Sequence, residues 1–402
     1  YRCTSMVPRN ANLSRLGEML MMELHILGTA SARPTSKRNV SGSVLSTEEG
    51  LVVIDAGEGF QNRYSAQRSL MKRSGQNASL RPHKIAAIAL THGHLDHTWG
   101  LLPFLQTLAL DGRNHPLIIY APTSPSVWDA LQSNGFNAEV PEHTPSADLI
   151  NQYRAWFQLG ANSNELGYEV RWMLGEPHSN KWVELNPDDS SLIWHEQMPQ
   201  PESFKSIRLD ALATKHSVPS CAWQITKAAR QGVFDRQRAT LAGLNEEERR
   251  SLASGNDVEK ENGITLKASS FRGPERSAHS IVISGDTAEQ SIQSIGMPSV
   301  LVHEATFLED SNSKAEEHLH STAKGAARTA KACGAEHLIL THFSARIREA
   351  SVSLNEAVNE YGDSGGITYA NDGDRVRIDV EGNVTFYRRN EDGWKQHNLT
   401  HH

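Results

Sequence analysis

Short apolar runs recur along the chain and end in polar residues able to carry chemistry. LVVIDAGEG (51–59) ends at Asp55, and KIAAIALTH (84–92) runs into His92. HSIVISGDT (279–287) ends at Asp286, VLVHEATF (300–307) carries His303 and Glu304, and HLILTHFSAR (337–346) ends at His342. Runs rich in Val, Ile and Leu and bounded by Gly or turn residues suit buried strands. Between the last two runs, Ser321 and Thr322 precede AKGAARTAKACG, which predicts an N-cap, an Ala-rich helix and a stop at Gly334. Strands alternating with helices predict an α/β sandwich with reactive groups at strand ends.

Two segments break this rhythm. Residues 139–202 are acidic yet hold Trp156, Trp172, Trp182 and Trp194, which predicts a folded insertion. Residues 227–278 are polar and charge-mixed, with NEEERR at 245–250 and little β-type sequence, and predict an arm or hairpin of helices. Residues 1–21 read as an N-terminal extension, 22–390 as one large domain and 391–402 as a C-terminal tail. No internal repeat or low-complexity stretch is evident.

Composition narrows the class. The chain has 402 residues, 38% hydrophobic and 22% charged, enough for a sizeable core and against wholesale disorder. No run approaches the roughly 18 apolar residues of a membrane span, so no membrane association is expected. Three cysteines, Cys3, Cys221 and Cys333, lie far apart without a CxxC pair and fit a reducing, cytoplasmic setting. The net charge of −7 argues against a simple nucleic-acid binder, but its distribution is uneven. Residues 139–202 hold eleven acids against Arg154, Arg171 and Lys181, a local balance of −8, and are expected to face away from any RNA path. Residues 1–91 carry twelve Lys/Arg against six Asp/Glu, with Arg63, Arg68, Lys72, Arg73, Arg81 and Lys84 close in sequence; by itself this reads as a solvated helix face.

The densest chemistry lies in THGHLDHTWG (91–100), where His92, His94, Asp96 and His97 fall within six residues. Such hydrated groups are not gathered without a cation to organise them, and imidazole with carboxylate suits Zn²⁺, with Mn²⁺ or Fe as alternatives. One ion takes three or four protein ligands, so this turn calls for more than one ion and for distant partners. His216, Asp286 and His342 supply them. His92, His94 and His216 would hold one ion, Asp96, His97 and His342 the other, and Asp286 would bridge. Paired cations can clamp the attacking and leaving oxygens of a displacement.

HxHxDH, a later His, GDT and a final His resemble the metallo-β-lactamase superfamily. Further motifs resemble its tRNase Z branch: MELHILGTASARPTSKRNVSG (22–42) with Pro34, Arg38 and Asn39, KHSVPSCAWQI (215–225), SGDT, HEATF, HST (320–322) and LTHFSAR (340–346), in that family's order. The resemblance implies a four-layer αββα sandwich over 22–390 with an inserted arm at 227–278. It implies a zinc-dependent endoribonuclease that removes the 3′ trailer from precursor tRNA and leaves a tRNA 3′-hydroxyl. Two Zn²⁺ per subunit would be held by His92, His94, Asp96, His97, His216, Asp286 and His342. Asp96 would also orient the attacking hydroxide, and His320, paired with Glu304, would donate a proton to the leaving oxygen. Asp55 would support the ligand loop as an outer acceptor, and Arg38, Ser344 and Arg346 would contact phosphates. The arm would grip tRNA across a homodimer. Two other readings are a related phosphodiesterase or sulfatase with a non-tRNA substrate, and a non-catalytic RNA-binding subunit; the complete ligand set opposes the latter.

Overall fold

A computed structural model describes residues 20–76, 80–260, 262–273, 275–289, 292–362 and 365–399. The expected extension at 1–21, except its last two residues, and Cys3 lie outside them. The described residues divide into two compact units, one from 20–226 and 280–399, the other within Lys227–His279.

All the apolar runs singled out above form strands: Leu51–Ala56, Ile85–Ala89, His279–Ile283, Val300–Glu304 and His337–Thr341. They fall into two sheets. In the first, Leu51–Ala56, Ile85–Ala89, Leu117–Pro122 and Val170–Glu176 run parallel. In the second, His279–Ile283, Val300–Glu304, His337–Thr341 and Gly366–Tyr369 run parallel. Among the described residues the first sheet has eleven strands and the second six.

Because strand side chains alternate between faces, a run apolar throughout must be covered on both sides. Val52 and Ile54 enter one core cluster while Val53 between them enters another. Val300 and Val302 likewise join the first of these, and Leu301 a third. The shared cluster takes residues from both sheets, including Leu24, Ile54, Ala89, Trp223, Ile281 and Ile339, and is therefore the layer between them. Outside the first sheet pack Phe60, Tyr64 and Phe104 from helices Phe60–Arg73 and Leu101–Leu110. Outside the second pack Ala323, Ala326, Ala327 and Ala330 from helix Ala323–Ala332, capped by Thr322 Oγ1 accepting from Gly325 N at 3.0 Å. The result is the αββα order of layers.

Residues 139–202 do not interrupt this architecture. Strands Val170–Glu176, Lys181–Asn186 and Ser191–His195 complete one end of the larger sheet. Trp182 is fully buried between the sheets, its ring 5.7 Å from Tyr120 and 6.2 Å from Trp223. The expected C-terminal tail is likewise partly sheet: Trp394–His397 pairs with Val384–Arg389 as the opposite edge strand, and Trp394 Nε1 donates to Gly373 O at 2.7 Å. Short edge strands carry too few residues for an alternation to show, which is why composition alone suggested a tail.

The second unit has its own small core of Ala239, Leu244, Leu252, Ala268 and Phe271. Its helices are Arg236–Leu241 and Glu246–Ala253, the latter opened by a capping box between Asn245 and Glu248. Beside them stands a short hairpin, Val258–Glu259 with Thr265–Leu266, which the polar sequence did not announce.

Glu49, in the turn between strands Gly42–Thr47 and Leu51–Ala56, accepts hydrogen bonds from the backbone N–H groups of Lys205, Ser206 and Ile207 and from the Ser206 hydroxyl. Partial burial raises its pKa, but these donors outweigh burial and bring it from the ordinary 4.5 to about 2. A lowered folded-state pKa stabilises the fold above the unfolded value, and that contribution is lost as pH falls through the folded one. Glu49→Gln is therefore expected to lower the melting temperature at pH 7, with the gap to wild type closing between about pH 4.5 and pH 2. A gap constant over that range, read by circular dichroism, would refute this.

Candidate metal centre

In α/β sheets the reactive edge is the one at the carboxyl ends of parallel strands. Here both sheets bring those ends to one place. Asp55 stands next to last in Leu51–Ala56, His92 follows Ile85–Ala89, Asp286 follows His279–Ile283, Glu304 ends Val300–Glu304, and His342 follows His337–Thr341. The two edges are sewn together: Cys221 N donates to Thr91 O at 2.9 Å, and Ser31 N donates to Phe343 O at 3.0 Å. Gly285, with φ of 60°, lies so close to Thr91 that a Cβ there would stand 2.6 Å from Thr91 Cβ. Only glycine allows that approach.

The side chains converge in three overlapping groups whose potential ligand atoms lie within 4.8 Å of one another: His92, His94, His216 and Asp286; Asp96, His97, Asp286 and His342; and Glu304, His320 and His342. His92 Nε2 is 3.0 Å from His94 Nδ1, which is 3.2 Å from His216 Nε2. His97 Nε2 and His342 Nε2 stand 3.3 Å apart, and each is 3.3 Å from Asp286 Oδ1. Asp96 Oδ2 is 3.7 Å from the first of these nitrogens and 3.5 Å from the second.

These separations match the edges of a coordination polyhedron, since ligands about 2.0–2.1 Å from a tetrahedral ion lie roughly 3.3 Å apart. Asp286 Oδ1 supplies an independent test. It is buried and accepts no hydrogen bond although two ring nitrogens face it. A buried carboxylate oxygen without a donor is costly, and a cation shared with those nitrogens satisfies it. Burial, followed by the charges of neighbouring imidazoles, lowers the pKa of His92 and brings His94 down to about 4. Both rings are thus neutral, the form that ligates metal.

The rings are oriented from behind. His97 Nδ1 donates to Asp55 Oδ2 at 2.7 Å, and Asp55 also accepts from Thr91 N at 2.7 Å and Thr91 Oγ1 at 2.8 Å. His216 Nδ1 donates to Leu319 O at 2.9 Å, and His342 Nδ1 lies 3.0 Å from Thr306 Oγ1. Asp96 Oδ2 accepts from Ala32 N at 2.7 Å. Ala32, Asp55, Leu319 and His342 all have φ between 54° and 61°, a conformation non-glycine residues seldom adopt. Strain of this kind, about 1–3 kcal/mol per residue, collects where function holds the backbone.

Beside the His342 face lies an acid–imidazole pair. His320 Nδ1 is 2.9 Å from Glu304 Oε1, which also accepts from Thr287 N at 2.9 Å. Burial opposes the charged ring, but the Glu304 carboxylate prevails and raises the His320 pKa to about 9. Thr306 Oγ1 donates to Glu304 Oε2 at 2.5 Å, joining this pair to His342. Sequence reasoning passed over Thr306, as well as the backbone groups of Ala32 and Leu319. The threonine sits in HEATF, two residues after Glu304, and same-face spacing along extended backbone was the available signal.

Of the expected phosphate contacts, Arg38 turns inward: its guanidinium donates to Thr29 Oγ1 at 2.6 Å, Ala370 O at 2.9 Å and Asn371 Oδ1 at 2.9 Å, and lies 4.8 Å over the Phe343 ring. Ser344 is half-buried two residues after His342, and Arg346 is exposed with no ion pair among the described residues. Charge balance predicted that 139–202 faces away. The parallel run of Val170–Glu176 instead brings Glu176, Pro177 and His178 to a groove they share with Lys215 and His216.

Comparison with known proteins agrees with this fold. The metallo-beta-lactamase superfamily profile matches residues 36–159. A metallo-beta-lactamase fold protein of Bacillus subtilis has a TM-score of 0.51 at 16% identity, over 89% of this chain and 99% of its own. A long-form RNase Z from yeast has a TM-score of 0.52 at 17% identity, over 92% of this chain and 43% of its own. Ribonuclease Z of Myxococcus xanthus is 30% identical over 365 residues, spanning 90% of this chain and 99% of that protein. The chain belongs to the ribonuclease Z family. Ribonuclease Z of Methanosarcina mazei is 29% identical over 329 residues, 81% of this chain and 88% of that protein. Membership accounts for the motif order running from 22 to 346, and the His and Asp groups equip this member for metal.

Asp55→Asn removes one acceptor from behind His97 and Thr91. It is expected to weaken metal affinity roughly 10–100-fold while the protein still folds, measured by chelator competition with circular dichroism as the folding control. Unchanged affinity would show that Asp55 serves the fold alone.

Proposed function

We propose that the protein is a zinc-dependent endoribonuclease that hydrolyses the phosphodiester joining tRNA to its 3′ trailer and leaves a tRNA 3′-hydroxyl. The observation that carries this reading is the Glu304–His320 pair set against the His342 side of the seven-residue ligand cluster. Metal ligands alone fit many hydrolases, whereas a positioned proton donor beside them fits a difficult leaving oxygen.

His92, His94 and His216 would hold one zinc ion, Asp96, His97 and His342 a second, with Asp286 between them. When bound, two such ions supply Lewis acidity, lowering the pKa of water towards neutrality and neutralising charge on phosphate oxygens. Around them, Asp96, tied to Ala32 N, has an oxygen fixed towards the site and orients the attacking water. Glu304 binds the Nδ1 side of His320, which leaves Nε2 to carry the proton given to the departing 3′ oxygen. A ring held protonated up to about pH 9 is loaded as an acid at neutral pH. Thr306 couples the orientation of this acid to that of His342. Arg346 and Ser344 would meet phosphate at the mouth, while Arg38 positions the 29–39 loop that carries Ala32.

No helix among the described residues is long and apolar enough to cross a membrane, and Cys221 and Cys333 are free thiols, which supports a cytoplasmic enzyme. We propose that it works as a homodimer whose 227–278 arm grips the tRNA.

Incubation with a 3′-extended precursor tRNA and Zn²⁺ is expected to yield one cut near the discriminator base, abolished by chelator and restored by metal. Asp96→Ala is expected to abolish cleavage while precursor binding persists. Turnover of bis(p-nitrophenyl) phosphate without any precursor cleavage would overturn the substrate assignment. His320→Ala is expected to lower kcat about 10²–10⁴-fold with KM little changed; wild-type kcat would remove His320 from the chemistry.

A further inference from the structure

A second charged feature adjoins the metal centre. A pocket of about 340 Å³ is lined by five cationic side chains, Lys37, Arg38, Arg63, Arg348 and Arg389, against two acids, Asp372 and Glu349. In a chain of net charge −7 such a concentration is conspicuous. Internal pairing does not consume it. Asp372 already accepts from Thr29 Oγ1 at 2.7 Å, Asn39 N at 2.6 Å and Asn39 Nδ2 at 3.0 Å, and Arg63 reaches it only at 3.8 Å. Glu349 meets Lys37 at 3.5 Å in an exposed pair of little strength. The guanidinium groups of Arg348 and Arg389 make no hydrogen bond or ion pair among the described residues. Burial, and the nearby charges of Arg63 and Arg73, lower the Arg389 pKa, as expected for cations held close together.

Two segments that line this pocket also reach the candidate metal centre. The 29–39 loop supplies Lys37 and Arg38 on this side and, on the other, the Ala32 N–H that holds Asp96. Arg38 lies over Phe343, the neighbour of His342, and the chain runs on from there to Arg348. Arg63 comes from helix Phe60–Arg73, and Arg389 from the strand that ends beside it. Arg63, one of the basic cluster that in sequence read as a solvated helix face, thus lines a concave site in tertiary structure.

We propose that this pocket is a phosphate-binding subsite for the RNA backbone, in which Arg63, Arg348 and Arg389 hold phosphodiester groups of the substrate away from the scissile bond. The inference rests on the reading of the chain as an RNA-cleaving enzyme. A guanidinium offers paired N–H donors that match phosphate oxygens, and the unfilled donors here face a pocket. Interactions of this kind position a strand without reading its bases.

The test uses the full chain loaded with zinc, Arg348→Ala alone and Arg348→Ala with Arg389→Ala, on a fluorescently labelled 3′-extended precursor tRNA. KM for the precursor is expected to rise roughly tenfold in the double variant while kcat holds. The slope of log affinity against log salt, by anisotropy, is expected to shrink by about 0.7–0.9 for each phosphate no longer neutralised. Arg389→Lys should recover part of the affinity, since it keeps the charge and loses the fork. Unchanged KM and salt slope in a double variant of normal melting temperature would overturn the proposal while leaving the activity intact. If the double variant does not fold, the exposed Arg348→Ala decides the question by the same slope. If the wild type fails to cleave precursor, the proposed function falls, and anisotropy still judges the pocket: binding that is equal in wild type and variants would sink it.

Discussion

Imidazole nitrogens and carboxylate oxygens crowd one another at 3.0–3.7 Å here, and buried lone pairs so close are tolerated only with a proton or a cation between them. That requirement organises this molecule. Asp286 Oδ1, buried and without a hydrogen-bond donor, shows it most sharply, since the groups aimed at it are ring nitrogens of two histidines that also ring Asp96. The backbone accepts strain to hold the arrangement. Asp55 and His342 adopt left-handed conformations to turn their side chains into the centre, and Ala32 and Leu319 do so where their N–H or C=O steadies a candidate ligand. Such geometry persists only because the surrounding structure over-determines it.

The over-determination comes from the layer between the sheets. Val52, Ile54, Ile281, Val300 and Ile339 pack there, so the carboxyl ends of parallel strands from both sheets are held in register relative to each other. Each fully buried aliphatic side chain of this kind is worth about 1.5–3 kcal/mol. The candidate ligands ride on strands already fixed by apolar packing, which is how such closely set polar groups can be kept ready for a cation.

Electrostatics is divided by place. Acidic residues crowd 139–202, a segment whose aromatic side chains nevertheless complete the core, while cations gather in the concave wall beside the site. Net charge therefore says little about what this surface binds. The charge lining this pocket differs in sign from that of the whole chain, and it is the local charge that a polyanion meets.

Much was legible in the amino-acid order alone. The strands ending at Asp55, His92, Asp286, Glu304 and His342 were visible because a strand covered on both faces has to be apolar throughout, and such runs stand out in a chain that is 38% hydrophobic. The candidate ligand set was visible because HxHxDH concentrates four groups in six residues, and the distant His216, Asp286 and His342 each close or follow an apolar run or a motif. The edge strand Trp394–His397 and the hairpin at 258–266 were not visible, being too short for a period to register. Nor did charge alone locate Glu176–His178, since their place follows from the order of strands in the sheet. What the sequence determined by itself was the chemistry on offer: which side chains can serve as ligands, as acids and as core, because residue type and local spacing set those. What tertiary structure decided was juxtaposition: which nitrogen backs onto which carboxylate, that Thr306 joins His342 to Glu304, that Arg38 turns inward, and that Arg63 and Arg389, more than three hundred residues apart, line one pocket. Long-range contacts depend on how the sheets pack, and no local pattern in the chain encodes them.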